Sequence, residues 1–290
     1  MIFRKSYGFI YLTPVLLLTG VLYLLILWNL VASLTVWNGI LPTWKWAGFS
    51  NYAELFSLGR FWDNLQHNLI WLVVFIVPTT FLGFVLAELF TSMTRSEVFF
   101  RQIFLYPLAL SSIVSGTLWA WMYDPGSGLV NSILKTFGFN VAHLGWIADP
   151  RIAIYCMIVA GLWQYTGFAL VIYLGAIRGL PTEMYEAAHL DGAGRARVMF
   201  SITLPNVGHG TLITTTMLAI FTVKVFDLVY VMTGGGPGDH TEVLPFLMYQ
   251  ISYSQRDFGM GTAISTVILI LAAIMVIPYS RWAIRKWVQE

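Results

Sequence analysis

Six times along this chain the residues stay apolar long enough to cross a lipid bilayer, and that limits the fold before any motif is considered. The runs cover approximately Tyr7–Leu34, Leu65–Leu89, Phe99–Tyr123, Ile152–Ile177, Asn206–Met232 and Gly261–Trp282. Each is near or above the ~20 residues that a helix rising ~1.5 Å per residue needs to span ~30 Å of hydrocarbon. Main-chain N–H and C=O groups find no water in that layer, so each run must be helical. Charged residues make up 10% of the 290, far below the ~25% of a soluble globule. The first run is longer than the apolar core of a secretory signal and lacks a convincing cleavage site, so it is expected to be retained. With no internal repeat, low-complexity tract or domain-sized linker, the expectation is an all-α protein forming one membrane domain over residues 1–290.

Arginine and lysine orient the spans. With the N-terminus in the cytoplasm, Arg4, Lys5, Arg95, Arg101, Arg178, Arg195, Arg197, Arg281, Arg285 and Lys286 lie inside. Lys45, Arg60, Lys135, Arg151 and Arg256 lie outside, and Lys224 falls within a span. That bias places both termini in the cytoplasm. A net charge of +2 without a long basic run argues against a nucleic-acid surface. Cys156, the single cysteine, lies in an apolar run and reads as a small core residue.

Three outer segments follow from this orientation. Ser33–Asn64 carries Trp37, Trp44, Trp46 and Trp62, side chains suited to the headgroup layer. Asp124–Pro150 opens and closes with Asp-Pro turn signals around a short amphipathic helix near Gly128–Phe137. Thr233–Gly259 begins with Gly234, Gly235, Gly236, Pro237 and Gly238, a backbone that cannot continue a helix. None is large enough for a separate catalytic domain.

Residues 179–205 form an inner loop unlike the oily remainder: EAAHLDGAGRARVMFSITLP from Glu186 to Pro205. Pro181 and Thr182 read as a helix start with threonine as cap, and Glu183 and Glu186 favour its positive end. The two glycines of Asp191-Gly192-Ala193-Gly194 permit a sharp bend. A second short helix is expected over Arg195–Phe200. The loop thus reads as a helix–turn–helix knuckle. Met184, Ala187, Ala188, Val198, Met199 and Phe200 would be wasted in water, which calls for a covering surface.

The spacing of Glu186-Ala187-Ala188, Gly192 and Ile202-x-Leu204-Pro205 resembles the EAA signature of the membrane-spanning subunits of binding-protein-dependent ABC importers. GFSNYAELF at Gly48–Phe56, RFWDNLQHNLIW at Arg60–Trp71 and FDLVYVMTGGGPGDHTEV at Phe226–Val243 resemble segments of the carbohydrate-type permeases. The order of motifs is similar to the maltose-type, first-permease branch. The chain departs from the maltose permease in having six spans rather than eight and no large inserted outer domain.

The resemblance implies a type I importer permease fold whose knuckle is the coupling helix, with Glu186, Ala187, Ala188, Asp191, Gly192, Ala193 and Phe200 meeting an ATPase. It further implies a second homologous permease, two ABC ATPase subunits and an extracytoplasmic solute-binding protein, which would contact Gly234, Gly235, Gly236, Pro237 and Gly238. The chain itself has no phosphate-binding glycine loop, no metal-ligand cluster and no catalytic triad arrangement, so it is not expected to be an enzyme. ATP and Mg belong on the partner.

Polar groups near the bilayer midplane point to a transport site. The fourth span centres on Gln164 and the fifth on Ile220–Thr222. Trp163, Tyr165, Phe168 and Phe221 can stack on a sugar ring, and Gln164, Tyr165 and Thr222 can bond its hydroxyls. The resemblance implies sugar contacts at or near Gly161, Gln164, Tyr165, Phe168, Phe221, Thr222 and Val225. Lys224 and Asp227 share a helix face at i, i+3, either as a structural ion pair or as pathway groups. Glu88 reads as interfacial. A secondary sugar transporter driven by an ion gradient is the alternative, and it leaves the knuckle unexplained.

Overall fold

A computed structural model describes residues 3–39, 45–91, 97–139 and 144–287, with side-chain environments described between Leu12 and Ile277. Trp44, Arg95 and His143 and the side chains of Arg4, Lys5, Arg281, Arg285 and Lys286 lie outside the described residues. The elements in order are α1 (Phe3–Ala32), β1 (Thr35–Val36), β2 (Lys45–Trp46), α2 (Ser50–Ser57), α3 (Gly59–Thr91), α4 (Glu97–Ala109), α5 (Ser112–Met122) and α6 (Leu129–Thr136). They continue with α7 (Ala153–Arg178), α8 (Thr182–Leu190), α9 (Arg195–Arg197), a π-helical turn (Val198–Thr203), α10 (Leu204–Asn206), α11 (Gly208–Val223), α12 (Asp227–Met232), α13 (Leu244–Tyr249), a second π turn (Gln250–Ser254) and α14 (Phe258–Trp287).

Among the described residues four helices are long and apolar enough to cross a membrane: Leu12–Ala32, Gly59–Thr91, Ala153–Arg178 and Phe258–Ile277. The third expected span is not one straight helix. It is the pair α4 and α5, which meet at a 100° bend. Pro107 deprives α4 of a donor near its end, and Ser111 starts α5 afresh by accepting the Val114 amide on its hydroxyl at 3.3 Å.

The fifth expected span is interrupted too. α11 stops at Val223, and Lys224 to Phe226 leave the helical path before α12. The run Thr222-Val223-Lys224-Val225 concentrates β-branched residues, whose side chains are stiff in a helix. Lys224 and Asp227 therefore do not share one helix face. Among the described residues no ion pair within 4.0 Å joins them.

The chain divides into two compact units. In the first, residues 1–62 with 247–270, Asn29 donates to the Thr266 hydroxyl at 3.0 Å and Asn51 to the main-chain oxygens of Ser33 and Thr35. Trp37 packs on Phe258 with ring centroids 5.0 Å apart, so it is a packing residue, whereas Trp46 and Trp62 are exposed.

The second unit, residues 63–246 with 271–290, is centred on α7. Within the apolar window of α7, 61% of residues are buried, against 28% or less in the other three spans. One cluster gathers Trp71, Phe75, Met157, Ile158 and Leu218, another Phe84, Leu170, Tyr173, Leu174 and Val207. Because lipid offers no hydrophobic drive between helices, close approach at small residues sets their contacts. A Cβ on Gly167 would lie 2.1 Å from the Phe104 carbonyl oxygen of α4, and one on Gly83 of α3 would lie 2.3 Å from the Ala169 Cβ.

The buried Glu97 carboxylate ties the start of α4 to the end of α7. It accepts from Arg178 and, at 3.4 Å, from Arg101. Cys156 is buried on α7. α6 matches its expected helix to within a residue at each end, and it is anchored by Asn131, which donates to the Pro125 oxygen at 2.9 Å and accepts from Trp146 at 2.7 Å. Turns flank this region. Ser127 and Gly126 donors hold the Asp124 carboxyl below its ordinary range, and the Arg151 side chain holds that of Asp149 down at about 2.

Gly167→Ala is expected to destabilise the chain by about 1–3 kcal/mol through overpacking against α4. Gly175→Ala, on the same helix with nothing within 4 Å, should leave stability unchanged or raise it by up to ~1 kcal/mol. Thermal unfolding of both variants in detergent checks this; equal shifts would contradict the close α4–α7 contact.

Candidate functional site

The two helix interruptions meet at one place. A cavity of about 230 Å³ is lined by Trp71 and Phe75 of α3, Ser112 at the start of α5, Gly161 and Tyr165 of α7, Phe221 and Thr222 of α11, Lys224–Phe226 of the break, and Asp227 and Leu228 of α12. Of the residues expected from sequence, Gly161, Tyr165, Phe221, Thr222, Lys224, Val225 and Asp227 are brought together here. The interruption exposes Lys224 and Asp227, giving the cavity one cation and one anion with no net charge.

Gln164 and Phe168 do not line the cavity. Gln164 is 2% exposed, and its Nε2 donates to the Leu110 carbonyl at 3.1 Å and towards the Ser112 hydroxyl at 3.5 Å. Its Nε2 is spent on the α4–α5 bend, while its Oε1 is buried with no hydrogen-bond partner among the described residues. It shapes the cavity by holding Ser112 in the wall. Phe168 stands edge-on to Phe221, with centroids 5.8 Å apart. Tyr165 and Phe221 lie face to face at 4.7 Å and 29°, with Phe75 edge-on to Tyr165 at 5.8 Å. In this arrangement each aromatic face covers the other.

Sequence reasoning missed Trp71, Phe75, Ser112, Phe226 and Leu228. Trp71 and Phe75 carried a usable signal: the i, i+4 spacing puts both on one face of the span before the bend. Around Ser112 the only local marks of the bend that turns it inward are Pro107 and the capping Ser111, set in an otherwise apolar run.

The knuckle is built from a complete helix stop. α8 ends with Gly192 at φ +72°, while the Gly192 amide donates to the His189 carbonyl at 3.1 Å and the Ala193 amide to the Ala188 carbonyl at 2.9 Å. This is the Schellman pairing of a left-handed cap. Thr182 is not the N-cap: Pro181 holds that position, and no side chain caps the helix. The expected second helix over Arg195–Phe200 is one α turn that widens into the π turn Val198–Thr203.

Ala188 and Val198 are buried against the rest of the unit, and Ala193 is half-buried. Glu186, Ala187, Asp191 and Gly192 are exposed, and Phe200 is 46% exposed. Leu190, passed over in the sequence, is 90% exposed at the tip and is the most open large apolar side chain described. A second cavity of about 410 Å³ separates α8 and the π turn from the end of α3, with Glu88 and Thr91 on one side and Tyr185, His189 and Arg195 on the other.

The loop after α12 is a folded knot. Gly234, Gly235 and Gly238 have φ of +58°, +87° and +57°, conformations that only glycine adopts without strain. Thr241 donates to the Gly236 carbonyl at 2.6 Å and pairs with Thr233 at 2.8 Å. Gly234 and Gly238 are exposed, Gly236 and Pro237 half-buried and Gly235 buried, so an outside partner would meet the first two. Among the described residues no three His, Cys, Asp or Glu side chains gather as a metal site.

This geometry belongs with known proteins. A probable ABC transporter permease protein of Pyrococcus horikoshii is 39% identical over 278 residues, 96% of this chain and 95% of that protein. The trehalose/maltose transport system permease protein MalF of Thermococcus litoralis is 31% identical over 239 residues, 82% of this chain and 80% of that protein. A crystal structure of a bacterial ABC transporter importing the acidic polysaccharide alginate contains a chain of the same fold, with a TM-score of 0.80 at 19% identity over 98% of this chain and 99% of that one. The binding-protein-dependent transport system inner membrane component family matches residues 46–283, more than half of the sequence, and the chain belongs to that family.

Proposed function

We propose that the chain is the permease subunit of an ATP-driven, binding-protein-dependent importer for a sugar. The observation that carries this reading is the cavity itself, where aromatic walls meet Ser112, Thr222, Lys224 and Asp227 in a family member. A sugar needs both kinds of surface, apolar faces for its C–H groups and fixed donors and acceptors for its hydroxyls. The trehalose/maltose relative and the alginate importer support the carbohydrate class. Six crossings are assigned to α1, α3, the bent α4–α5 pair, α7, interrupted α11–α12 and α14, with both termini in the cytoplasm. A second homologous permease completes the path in the cytoplasmic membrane. Two ABC ATPase subunits, which hold ATP and Mg, sit on the knuckles, and a solute-binding protein delivers sugar from outside.

The residues of this chain would divide the work as follows. The Tyr165–Phe221 stack closes the cavity on itself, so a sugar ring enters by parting α7 from α11 and replacing ring–ring contact with ring–sugar contact. Lys224 donates to hydroxyls, and Asp227 accepts from them. At the other end of α11, Leu190 offers the ATPase an apolar anchor beside Glu186. α11 has 16 residues and so spans about 24 Å, enough to carry a displacement of the knuckle to the cavity.

Uptake by vesicles holding the assembled complex, with ATP inside, tests the reading; transport by this chain alone on an ion gradient would replace it with the secondary transporter. Leu190→Ser is expected to cut ATP-driven uptake at least tenfold, about 1.5–3 kcal/mol for an apolar anchor, with insertion unchanged. Phe221→Ala should raise the half-saturating sugar concentration several-fold, about 0.5–1.5 kcal/mol of ring contact, while ATPase binding is retained. Wild-type uptake by both variants would remove the docking tip and the cavity respectively.

A further inference from the structure

Three polar side chains on one face of α3 reach the segment returning from the glycine loop. Asn64, His67 and Asn68 follow the i, i+3, i+4 spacing of helix neighbours. Asn64 Nδ2 donates to the Glu242 carboxylate at 3.2 Å, and Asn68 Oδ1 accepts from the Leu244 amide at 2.8 Å. His67 Nδ1 lies 2.8 Å from the Glu242 main-chain oxygen. A carbonyl only accepts, so this nitrogen carries the proton. Gly235 makes room for the arrangement, since a Cβ there would lie 2.8 Å from the Glu242 Cγ.

The second end of the Asn68 amide points elsewhere. Its Nδ2 donates to the Thr222 main-chain oxygen at 3.4 Å, at the last turn of α11 where the cavity wall begins. Glu242 is 0% exposed, Asn64 1% and Asn68 9%. One buried carboxamide thus joins a carbonyl of the cavity wall to an amide at the root of the loop. The Thr222 oxygen also accepts from the Val225 amide at 3.2 Å, so Asn68 is its second donor. Moving either segment alone breaks one of the two Asn68 bonds, and the larger cost falls on the buried Leu244 amide.

We propose that Asn68 is a positioning residue of the transport cycle. It keeps Thr222 in register with Leu244, so a displacement of the glycine loop is passed to the cavity wall, while Asn64 and His67 fasten the loop's root to α3. The solute-binding protein as the source of that displacement comes from the importer reading; the register between the two segments does not depend on it.

The test uses the complete transporter in lipid nanodiscs, comparing wild type, Asn68→Leu, which removes both bonds, and Asn68→Asp, which keeps the acceptor for Leu244 and loses the donor to Thr222. Amide hydrogen exchange is followed in residues 242–246 and 223–228, together with ATPase activity with and without sugar-loaded binding protein. In Asn68→Leu, exchange in both segments should rise about tenfold or more. Stimulation by the binding protein should fall at least fivefold, while unstimulated ATPase stays within twofold of wild type. In Asn68→Asp, exchange should rise after Thr222 while Leu244 stays protected. In Asn68→Leu, stimulation within twofold of wild type, or faster exchange in one segment with the other unchanged, overturns the proposal; in Asn68→Asp, loss of protection at Leu244 or unchanged exchange after Thr222 does so. If Asn68→Leu does not assemble, the two exchange readings in Asn68→Asp decide it. A wild-type complex that no sugar-loaded binding protein stimulates would sink the importer reading, and the exchange readings would still confirm or overturn the register.

Discussion

A main chain inside hydrocarbon must bond to itself, and this chain breaks that continuity twice. An unpaired N–H or C=O in lipid costs several kcal/mol. At the first interruption another helix supplies the partner, and at the second another helix adds one to the Thr222 carbonyl, which also accepts from the Val225 amide at 3.2 Å. Gln164 of α7 donates to the Leu110 carbonyl at the α4–α5 bend, and Asn68 of α3 donates to the Thr222 carbonyl where α11 ends. Both donors are primary amides held almost fully buried. Amides suit this role because they donate without a charge whose burial would need pairing. The cavity follows from these two repairs, for Ser112 enters its wall from the first interruption and Lys224–Leu228 from the second.

The same economy of polar groups explains the chain's other unusual residues. Glu97 is buried with two arginines reaching its carboxylate, and that cluster joins the start of α4 to the end of α7, the helix against which α3, α4 and α11 all make close approaches. Lys224 and Asp227, which have no such partners among the described residues, are instead exposed at the cavity. Charges that only stabilised the bundle would be expected to meet; these two stand apart and open.

Much of this was legible in the sequence where a pattern maps directly onto local structure. Apolar run lengths located α1, α3, α7 and α14, and the Asp-Pro signals bracketed α6. Gly192 marked the knuckle's bend because its left-handed φ is a requirement of the chain there and not a preference. The interruptions were not legible, since hydropathy scores Phe99–Tyr123 and Asn206–Met232 as oil whether the backbone runs straight or turns by 100°. Gln164 showed the limit of the argument from polarity: an amide at mid-membrane does need a partner, but the partner proved to be a main-chain carbonyl two helices away in sequence. Leu190 was passed over for the opposite reason, because an apolar residue in an apolar chain draws no notice until its exposure is known.

Where the contacts of α11 lie decides how it would move. Near its start, Gly210 approaches Ala176 so closely that a Cβ would sit 2.9 Å from the alanine Cβ, and Tyr173 bonds the Thr211 hydroxyl at 2.9 Å. Small-residue contact plus a hydrogen bond makes this the tightest junction of α11 with α7. Phe221 lies ten residues further on, roughly 15 Å along the helix, and meets α7 through an aromatic stack worth only about 0.5–1.5 kcal/mol beyond its buried area. The knuckle joins the near end within a turn or two of the junction. On the importer reading, a short displacement of the knuckle pivots α11 about Gly210 and is enlarged at Phe221, whose contacts with Tyr165 and Phe168 of α7 are the ones that must open for a sugar to enter.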